Sequence, residues 1–459
     1  MNISEAFIRR TKPLFPDTWD DFIRSLNDTA PVSIRVNDKT LYNPSDEKVA
    51  WCDAGYYLAE RPLFTADPYF HAGVYYVQEA SSMFLCEALR QLVSKKSTLL
   101  DLSAAPGGKS TLISQYLAGE GLLVSNEIVR SRAYILAENT MKWGNHAVIV
   151  TNNEPKDFRK LPQFFDAVVV DAPCSGEGMF RKDAGAVNEW SEQNVMMCAA
   201  RQRDILSDAW TSLKEGGTLI YSTCTYNREE NEENVRWIMD ELGAEFLPID
   251  TSMYPEITVT EGGYRFFPHK TRGEGFFLAA LRKIAVSAES QFSISKFNKK
   301  NRKNEHVTVK SYKEIEDLKM GLMNPEKWKI YSENGLVSAV DVEKSEPLDS
   351  VKKHLKVLHF GITLAEQKGR DFIPHISLAL SKELDQSRFV SVEVNYDTAI
   401  AYLRKEAIFL PDAPKGFILL KYKNIPIGWV KNVGNRCNNL YPNEWRIRMN
   451  MRPNPLKGE

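Results

Sequence analysis

The chain has 459 residues, with 59 Lys and Arg against 60 Asp and Glu, which gives a formal net charge of −1. At about 150 residues per domain this length predicts two to four domains, and a hydrophobic content of 43% is typical of globular proteins. No apolar run approaches the ~18 residues of a membrane span, and the N-terminus lacks the apolar core of a signal peptide, so we expect a soluble, cytoplasmic protein.

The first 95 residues predict a small α/β region ahead of the main fold. Residues 5–26, EAFIRRTKPLFPDTWDDFIRSL, have a helical pattern. Residues 30–38, APVSIRVND, are typical of a strand. The pattern changes after residue 95, and we assign residues 1–95 to this region.

Residues 96–284 alternate between apolar strands and helical stretches. The clearest helix runs from near Asn194 to Leu213, and the Gly pair at 216–217 is predicted to stop it. Continuous apolar strands that alternate with helices are typical of a parallel sheet covered on both faces, so we predict a Rossmann-like α/β core. The predicted strands are residues 97–103, 121–127, 146–152, 165–172, 217–223 and 275–282.

The remaining residues predict two further regions. Residues 285–385 begin with a lysine-rich linker, SKFNKKNRKNEHVTVK at 295–310, and continue as mixed α/β structure. Residues 386–459 contain short strands with turn residues, such as GFILLKYKNIPIGWV, and predict a small β-rich module.

Polar motifs follow five predicted strands, each where the strand ends. Ligands of doubly wound sheets lie beyond the carboxyl ends of the strands, so we expect one ligand site along this edge. In chain order the motifs are Ala104 to Ser110, Glu127, Asn152–Asn153, Asp171 to Ser175 and Thr223–Cys224–Thr225.

The first motif lies in LDLSAAPGGKST at 100–111 and looks like a phosphate-binding loop. However, Ser103 stands where a Walker A loop needs glycine, and Pro106 removes a backbone N–H from the cradle. Glu127 suits the ribose hydroxyls of an adenosine cofactor. Because G-x-G-x-x-G is absent, a nicotinamide cofactor is disfavoured, and the loop of small residues fits S-adenosylmethionine better.

Six cysteines are present, and their spacing favours no zinc site. Cys174 follows the fourth predicted strand and Cys224 the fifth. Because neighbouring strands lie about 5 Å apart, both thiols can face one pocket. With Asp171 nearby they suggest covalent catalysis without a metal, and buried structural thiols are the alternative. The other cysteines are predicted to be packing residues: Cys52, Cys86, Cys198 and Cys437.

Four segments in order closely resemble the Nol–Nop–Sun family of RNA cytosine-5 methyltransferases, across about residues 70–285: VYYVQEASSM, DLSAAPGGKST, DAPCSGEGMF and YSTCTYNREENEENV. PVSIRVN and WVKNVGNRCNNLYPNEWRIRM, nearer the two ends, look like the bacterial RsmF type of that family. The resemblance therefore covers most of the chain. It implies an S-adenosylmethionine-dependent methyltransferase domain at 96–284, an N-terminal RNA-binding region at 1–95 and a PUA-like RNA-binding module at 386–459.

The resemblance implies catalytic roles for three residues. Cys224 is the nucleophile that adds to carbon 6 of a cytosine, so that carbon 5 can take the methyl group. Cys174 assists removal of the carbon-5 proton, and Asp171 hydrogen-bonds the cytosine edge. Carbon 5 of cytosine is not nucleophilic unaided, which is why the chemistry needs an adduct. The base must also leave its stack to reach the pocket.

The resemblance also implies a set of cofactor-binding residues. The family usually has Asp where this chain has Asn153, whose side-chain oxygen can still accept a hydrogen bond from the adenine amino group; Asn152 is the alternative. Lys109 contacts the base or the cofactor carboxylate, or is only solvated at the helix end. The set is Ala104, Ala105, Pro106, Gly107, Gly108, Lys109, Ser110, Glu127, Asn153 and Asp171.

We therefore expect an enzyme that forms 5-methylcytosine in small-subunit (16S) ribosomal RNA, as a monomer and without a metal. The expected partner is ribosomal RNA or the small ribosomal subunit. Transfer RNA is the alternative substrate. A non-catalytic RNA-binding ribosome assembly factor is the alternative function, although a scaffold needs neither cysteine.

Two basic clusters are predicted to hold the RNA backbone. The first is Lys296, Lys299, Lys300, Arg302 and Lys303, and the second is Arg436, Arg446, Arg448 and Arg452. Tyr441 and Trp445 are interleaved with the second cluster, and their rings suit stacking on unpaired bases. Core packing is the equal alternative for Trp445, and a solvated surface is the alternative for each cluster.

Overall fold

The structure is a computed structural model that describes residues 3–39, 42, 44, 47–284 and 313–449. The first predicted basic cluster and Arg452 lie outside these ranges. Within them, no helix is long and apolar enough to cross a membrane.

The helices and strands follow in chain order. Up to the central sheet they are α1 (Glu5–Thr11), α2 (Trp19–Ser25), β1 (Val32–Val36), β2 (Lys48–Val49), β3 (Cys52–Leu58), α3 (Pro68–His71), β4 (Tyr75–Val77) and α4 (Leu85–Leu92). The next are β5 (Thr98–Asp101), α5 (Gly108–Leu117), β6 (Leu122–Asn126), α6 (Arg130–Trp143), β7 (Val148–Thr151), β8 (Phe165–Asp171), α7 (Ala184–Glu189), α8 (Glu192–Trp210), β9 (Leu213–Thr223), α9 (Glu232–Leu242), β10 (Ala244–Phe246), β11 (Thr258–Thr260), β12 (Gly263–Phe266) and β13 (Phe276–Lys283). The last are α10 (Lys313–Lys319), β14 (Trp328–Glu333), β15 (Leu336–Asp341), α11 (Ser345–His354), β16 (Val357–Phe360), β17 (Ile362–Lys368), β18 (Asp371–Pro374), α12 (Ile376–Ala379), β19 (Ser391–Glu393), α13 (Tyr396–Leu403), β20 (Gly416–Tyr422), β21 (Ile425–Asn432) and β22 (Cys437–Asn439).

The N-terminal region consists of short helices and a four-stranded antiparallel sheet of order β2-β3-β1-β4. The predicted single helix over residues 5–26 is wrong, because α1 and α2 are separate. Pro13 and Pro16 lie between them, and proline lacks the N–H that a helix interior requires.

A mixed sheet of ten strands forms the centre of the molecule, in the order β11-β12-β13-β9-β8-β5-β6-β7-β16, with β10 paired to β13. Strands β9, β8, β5, β6 and β7 are parallel, as their continuous apolar sequences predict. The chain runs outward from β5 through β6 and β7 and then returns to β8 on the other side of β5. This reversal forms a crevice at the carboxyl ends of β5, β8 and β9.

Two predictions about this sheet are wrong. The sixth predicted strand, β13, runs antiparallel to β9, so the sheet is mixed rather than wholly parallel. Helix α8 ends at Trp210, and the Gly pair at 216–217 lies inside β9 instead of stopping the helix. Gly216 has φ +72°, a left-handed conformation that produces a bulge, and the register of β8 against β9 shifts there.

Two further four-stranded sheets follow, of order β14-β15-β17-β18 and β19-β20-β21-β22. Strand β16 lies between β15 and β17 in the sequence but does not join their sheet. It pairs antiparallel with β7 and extends the central sheet. The predicted domain boundary at residue 284 places β16 outside the methyltransferase domain, although the strand belongs to the central sheet.

Apolar residues from distant parts of the chain share hydrophobic clusters. Ile34 of β1 packs in one cluster with Ile418 and Leu420 of β20. Trp429 of β21 packs in another with residues of β15 and β17. The N-terminal region, residues 313–384 and the C-terminal module are therefore stabilised by common burial.

The aromatic residues of the C-terminal module belong to this core. Tyr441 is fully buried, and its ring contacts Tyr402 with the centroids 5.2 Å apart. The prediction that Tyr441 stacks on bases is therefore wrong. Trp445 is half-buried against the same cluster, and Lys142 Nζ lies 5.1 Å from its ring centroid.

Candidate active site

The carboxyl ends of β8 and β9 bring the two predicted thiols together. Cys174 follows β8 and Cys224 follows β9, and their Sγ atoms are 3.0 Å apart. The backbone N–H of Cys224 lies 3.4 Å from the Cys174 Sγ. Both cysteines are free and half-buried. The expectation that the ends of neighbouring strands bring the two thiols close together is confirmed, and a shared pocket stays a prediction.

The two thiols have different environments. The pKa of Cys174 lies well above its usual value. It is raised by the hydrogen bond of Cys174 with Cys224, by burial, and by the charge on the Cys224 sulfur. Cys174 is therefore protonated at neutral pH and can donate its S–H to Cys224. A donor of this kind stabilises negative charge on the sulfur that it faces.

Asp171, the last residue of β8, is held from two sides. Ser222 Oγ donates to its Oδ1 at 2.8 Å, and Lys109 Nζ lies 2.8 Å from its Oδ2. The Lys109 side chain is 15% exposed. Burial lowers the pKa of Lys109, but the charge and hydrogen bond of Asp171 outweigh burial and raise it. Lys109 is therefore a cation in the crevice, and the alternative of simple solvation at the helix end is wrong.

The loop between β5 and α5 has features that fit the amino-acid end of S-adenosylmethionine. Gly107, at the start of α5, has φ +120°, a conformation that residues with a Cβ rarely adopt. As a glycine, this N-cap residue has no side chain that could cap the first N–H groups of α5. Unpaired N–H groups at a helix N-terminus bind carboxylates.

Glu127 fits the ribose end of the same cofactor. It directly follows β6 and is 2% exposed. Its Oε1 accepts a hydrogen bond from Val129 N–H at 2.9 Å, and Arg132 Nη1 lies 3.5 Å from Oε2. A carboxylate has about four acceptor positions, so acceptor capacity remains for two ribose hydroxyls.

The asparagines after β7 have partners in the protein. Lys356 N–H donates to Asn153 Oδ1 at 2.9 Å, and Asn153 Nδ2 donates to the Lys356 carbonyl at 3.1 Å. Asn152 Nδ2 donates to the carbonyls of Glu127 and Ile128, each at 2.9 Å. Both side chains thus form hydrogen bonds with neighbouring backbone groups. A contact of either side chain with adenine stays a prediction.

Sequence reasoning missed two buried acids beside the cysteines. Glu177 accepts hydrogen bonds from two backbone N–H groups just beyond Cys224. Glu230 accepts one from the backbone N–H just beyond Cys174. Their residue type gave no signal, because most glutamates lie on the surface. Among the described side chains, no cluster of three His, Cys, Asp or Glu is arranged to hold a metal ion.

Three family models match the chain. Residues 91–282 match 16S rRNA methyltransferase RsmB/F, residues 3–80 match the N-terminal domain of 16S rRNA methyltransferase RsmF, and residues 389–447 match the methyltransferase RsmF PUA domain. Ribosomal RNA small subunit methyltransferase F of Erwinia tasmaniensis is 31% identical, and the match covers 96% of each chain. The protein of the same name in Citrobacter koseri is also 31% identical, with the same coverage.

Solved structures share the fold. A methyltransferase homolog protein from Pyrococcus horikoshii is 26% identical with a TM-score of 0.54, and the match covers 61% of this chain and 95% of that one. NSun6 from the same organism, solved with SFG, is 21% identical with a TM-score of 0.53, and the match covers 62% of this chain and 99% of that one.

Proposed function

This chain belongs to the family of 16S rRNA methyltransferases RsmB/F, and we propose that its two crevice thiols perform successive steps of the reaction. The protein is an S-adenosylmethionine-dependent enzyme that forms 5-methylcytosine in ribosomal RNA. One observation carries the assignment of the thiols: the Sγ atoms of Cys174 and Cys224 lie 3.0 Å apart at adjoining strand ends.

In the first step the Cys224 thiolate adds to carbon 6 of a flipped cytosine. Cys174 stabilises that thiolate beforehand by donating its S–H. Asp171 accepts a hydrogen bond from the cytosine amino group, and Lys109 offsets the negative charge that develops on the ring. The addition makes carbon 5 nucleophilic, which unmodified cytosine is not.

In the second step, once carbon 5 carries the methyl group, Cys174 removes the carbon-5 proton. Once Cys224 is bonded to carbon, its sulfur no longer carries the charge or accepts the hydrogen bond that raise the pKa of Cys174. Cys174 then becomes able to lose its own proton to solvent and to act as a base. The electrons of the carbon 5–hydrogen bond restore the ring double bond, and Cys224 leaves as a thiolate.

The residues around β5, β6 and β8 hold the cofactor. The N-terminus of α5 binds its carboxylate, and Glu127 binds its ribose. S-adenosylmethionine, when bound, supplies the methyl group. The proposed set is Ala104, Ala105, Pro106, Gly107, Gly108, Lys109, Ser110, Glu127, Asn153 and Asp171.

The RNA is held by the regions outside the methyltransferase core. We assign RNA contacts to residues 1–95 and 386–459, and the methyltransferase reaction to 96–284. A monomer in the cytoplasm suffices, because one chain supplies both thiols and the whole cofactor set. The thiol chemistry itself requires no metal.

Bisulfite sequencing of ribosomal and transfer RNA tests the substrate. Cells lacking the protein should lose 5-methylcytosine in small-subunit ribosomal RNA, and the wild-type gene but not Cys224→Ala should restore it. Loss of a transfer-RNA mark instead would support the alternative substrate. Unchanged marks in both RNAs would support a non-catalytic assembly factor.

A further inference from the structure

A buried carboxylate holds the turn that follows Cys224. Glu177 is 0% exposed. Its Oε2 accepts hydrogen bonds from the Thr225 hydroxyl at 2.7 Å and from the N–H groups of Tyr226 and Asn227 at 2.8 and 2.9 Å. Charge-assisted bonds of this kind are about twice as strong as neutral ones. Glu177 therefore fixes the path of the chain immediately after the nucleophile.

A second buried carboxylate holds the loop that contains Cys174. Glu230 Oε2 accepts hydrogen bonds from Ser175 N–H at 3.1 Å and from Gln202 Nε2 at 2.7 Å. Gln202 is fully buried on α8. Glu230 therefore attaches the residue that follows Cys174 to a helix of the core.

Asn227 links the two carboxylates. Its Nδ2 lies 2.7 Å from Glu230 Oε1 and 3.2 Å from Glu177 Oε1, and its Oδ1 accepts a hydrogen bond from Glu230 N–H at 2.9 Å. The hydroxyls of Ser175 and Thr225, one from each cysteine loop, are 2.9 Å apart. A continuous buried network thus joins the loop of one thiol to the loop of the other.

We propose that Glu177 and Glu230 are positioning residues that set the separation of the two thiols. Glu177 acts on Cys224 and Glu230 acts on Cys174. The inference rests on the proposed function, in which Cys224 forms the adduct and Cys174 releases it. Because each acid holds a different loop, the loss of each acid affects a different step.

Glu177→Gln removes the charge at nearly constant size. The new amide N–H₂ would face either the backbone N–H groups beyond Cys224 or the indole N–H of Trp190, which lies 2.8 Å from Glu177 Oε1. Two hydrogen-bond donors cannot bond to each other, so the turn after Cys224 shifts. We expect adduct formation in single-turnover experiments to slow by about 10- to 100-fold, with an unchanged dissociation constant for S-adenosylmethionine. Glu177→Asp keeps the charge and should restore part of the rate.

Glu230→Gln should affect the other step. Its amide would face the donor amide of Asn227 or of Gln202, and the loop of Cys174 shifts instead. We expect adduct to form at close to the normal rate but to persist, so that denaturing gels show an accumulated protein–RNA band that still requires Cys224.

Glu87→Gln is the matched control. Glu87 on α4 is 2% exposed, and its partners Arg90, Gln91 and Tyr254 lie outside both cysteine loops. It should keep normal rates for both steps. The inference would be overturned if each of the variants Glu177→Gln and Glu230→Gln slowed adduct formation and adduct release equally. It would also be overturned if both variants had the same rates as the control. An adduct that forms without Cys224 would instead overturn the proposed function.

Discussion

Cys224 is the residue on which the proposed reaction depends. The nearest sulfur, on Cys174, lies on the loop after β8, and no other described thiol stands at the end of β9. We expect Cys224→Ala to abolish both methyl transfer and the covalent RNA adduct. Transfer of a labelled methyl group to RNA and denaturing gels measure the two quantities.

Cys198→Ala is the control for that substitution, since Cys198 is a buried packing residue on α8. It should keep its activity. An adduct in the Cys224→Ala protein would assign the nucleophile to another residue.

Cys174→Ala should have the opposite effect on the adduct. Cys224 can still add to the cytosine, but the neighbouring thiol that takes the carbon-5 proton in the proposed reaction is gone. The protein should therefore remain bonded to RNA and migrate slowly on denaturing gels when cofactor is present. The double variant with Cys224→Ala should show no such band, and absence of the band in Cys174→Ala alone would contradict the assigned roles.

Asp101 predicts a pH-dependent change in stability. It is fully buried in β5, its Oδ1 has no hydrogen-bond partner among the described residues, and burial raises its pKa from 3.8 to about 7. Because the folded-state pKa is the higher one, the contribution to stability is complete below pH 3.8 and is lost as pH rises to about 7. Asp101→Asn stays neutral and should unfold with a free energy about 1–3 kcal/mol higher than the wild type at pH 8.

Denaturant unfolding at pH 5 and pH 8 checks this expectation. The advantage of Asp101→Asn should shrink at the lower pH, where the wild-type carboxyl is protonated in the folded state. An equal difference at both pH values would mean that the charge of Asp101 is not the cause.

At the scale of secondary structure, the apolar runs of β5, β6 and β8 predicted the strands and placed the polar motifs at their ends. The prediction that the Gly pair at 216–217 stops a helix is wrong, because a glycine that ends a helix and a glycine that forms a bulge both adopt positive φ. β16 could not be predicted as part of the central sheet. Its pairing with β7 depends on tertiary contacts between segments about 200 residues apart in sequence.

The attachment of β16 predicts the effect of a substitution at Asn153. Asn153→Asp would keep the acceptor for Lys356 N–H but lose the donor to the Lys356 carbonyl, and the new charge would repel that carbonyl. We expect the free energy of unfolding to fall by about 1–3 kcal/mol. Denaturant unfolding measures this change.

Asn153→Ser is a useful comparison, because it removes both contacts without adding charge. It should destabilise the protein less than Asp does. Calorimetry with S-adenosylmethionine on both variants separates the attachment of β16 from the predicted adenine contact. A wild-type stability in Asn153→Asp would contradict the role in attachment.

At the scale of the whole molecule, the C-terminal module cannot be removed without exposing the core of its neighbours. Ile34 and Trp429 are each 1% exposed, and their clusters cross the region boundaries. RNA binding by this module is therefore best tested by substitutions in the full chain. The composition of the module did indicate a β-rich unit, but the burial of Tyr441 depends on packing that only the folded chain shows.

Arg446 and Arg448 are exposed and suit contacts with phosphates. The double variant Arg446→Ala/Arg448→Ala should bind RNA more weakly, and each lost phosphate contact should reduce the log–log salt slope by roughly 0.7–0.9. RNA binding at several salt concentrations measures both effects, and the affinity for S-adenosylmethionine should not change.

Lys95→Ala/Lys96→Ala removes the same charge elsewhere. These exposed lysines precede β5, at the opposite edge of the sheet from the crevice. RNA affinity and slope should stay close to those of the wild type. Identical losses in both double variants would show that total charge matters rather than the C-terminal module.

The cluster shared by β1 and β20 also determines when the protein matures during translation. Ile34 leaves the ribosome long before Ile418 and Leu420, and at about 5–20 residues per second the delay is roughly 20–80 s. Until then the apolar face of the N-terminal region has no partner. A nascent chain whose crevice is already complete therefore still lacks a finished N-terminal region. The hydrophobic core of the N-terminal region is completed only when the last module has been synthesised.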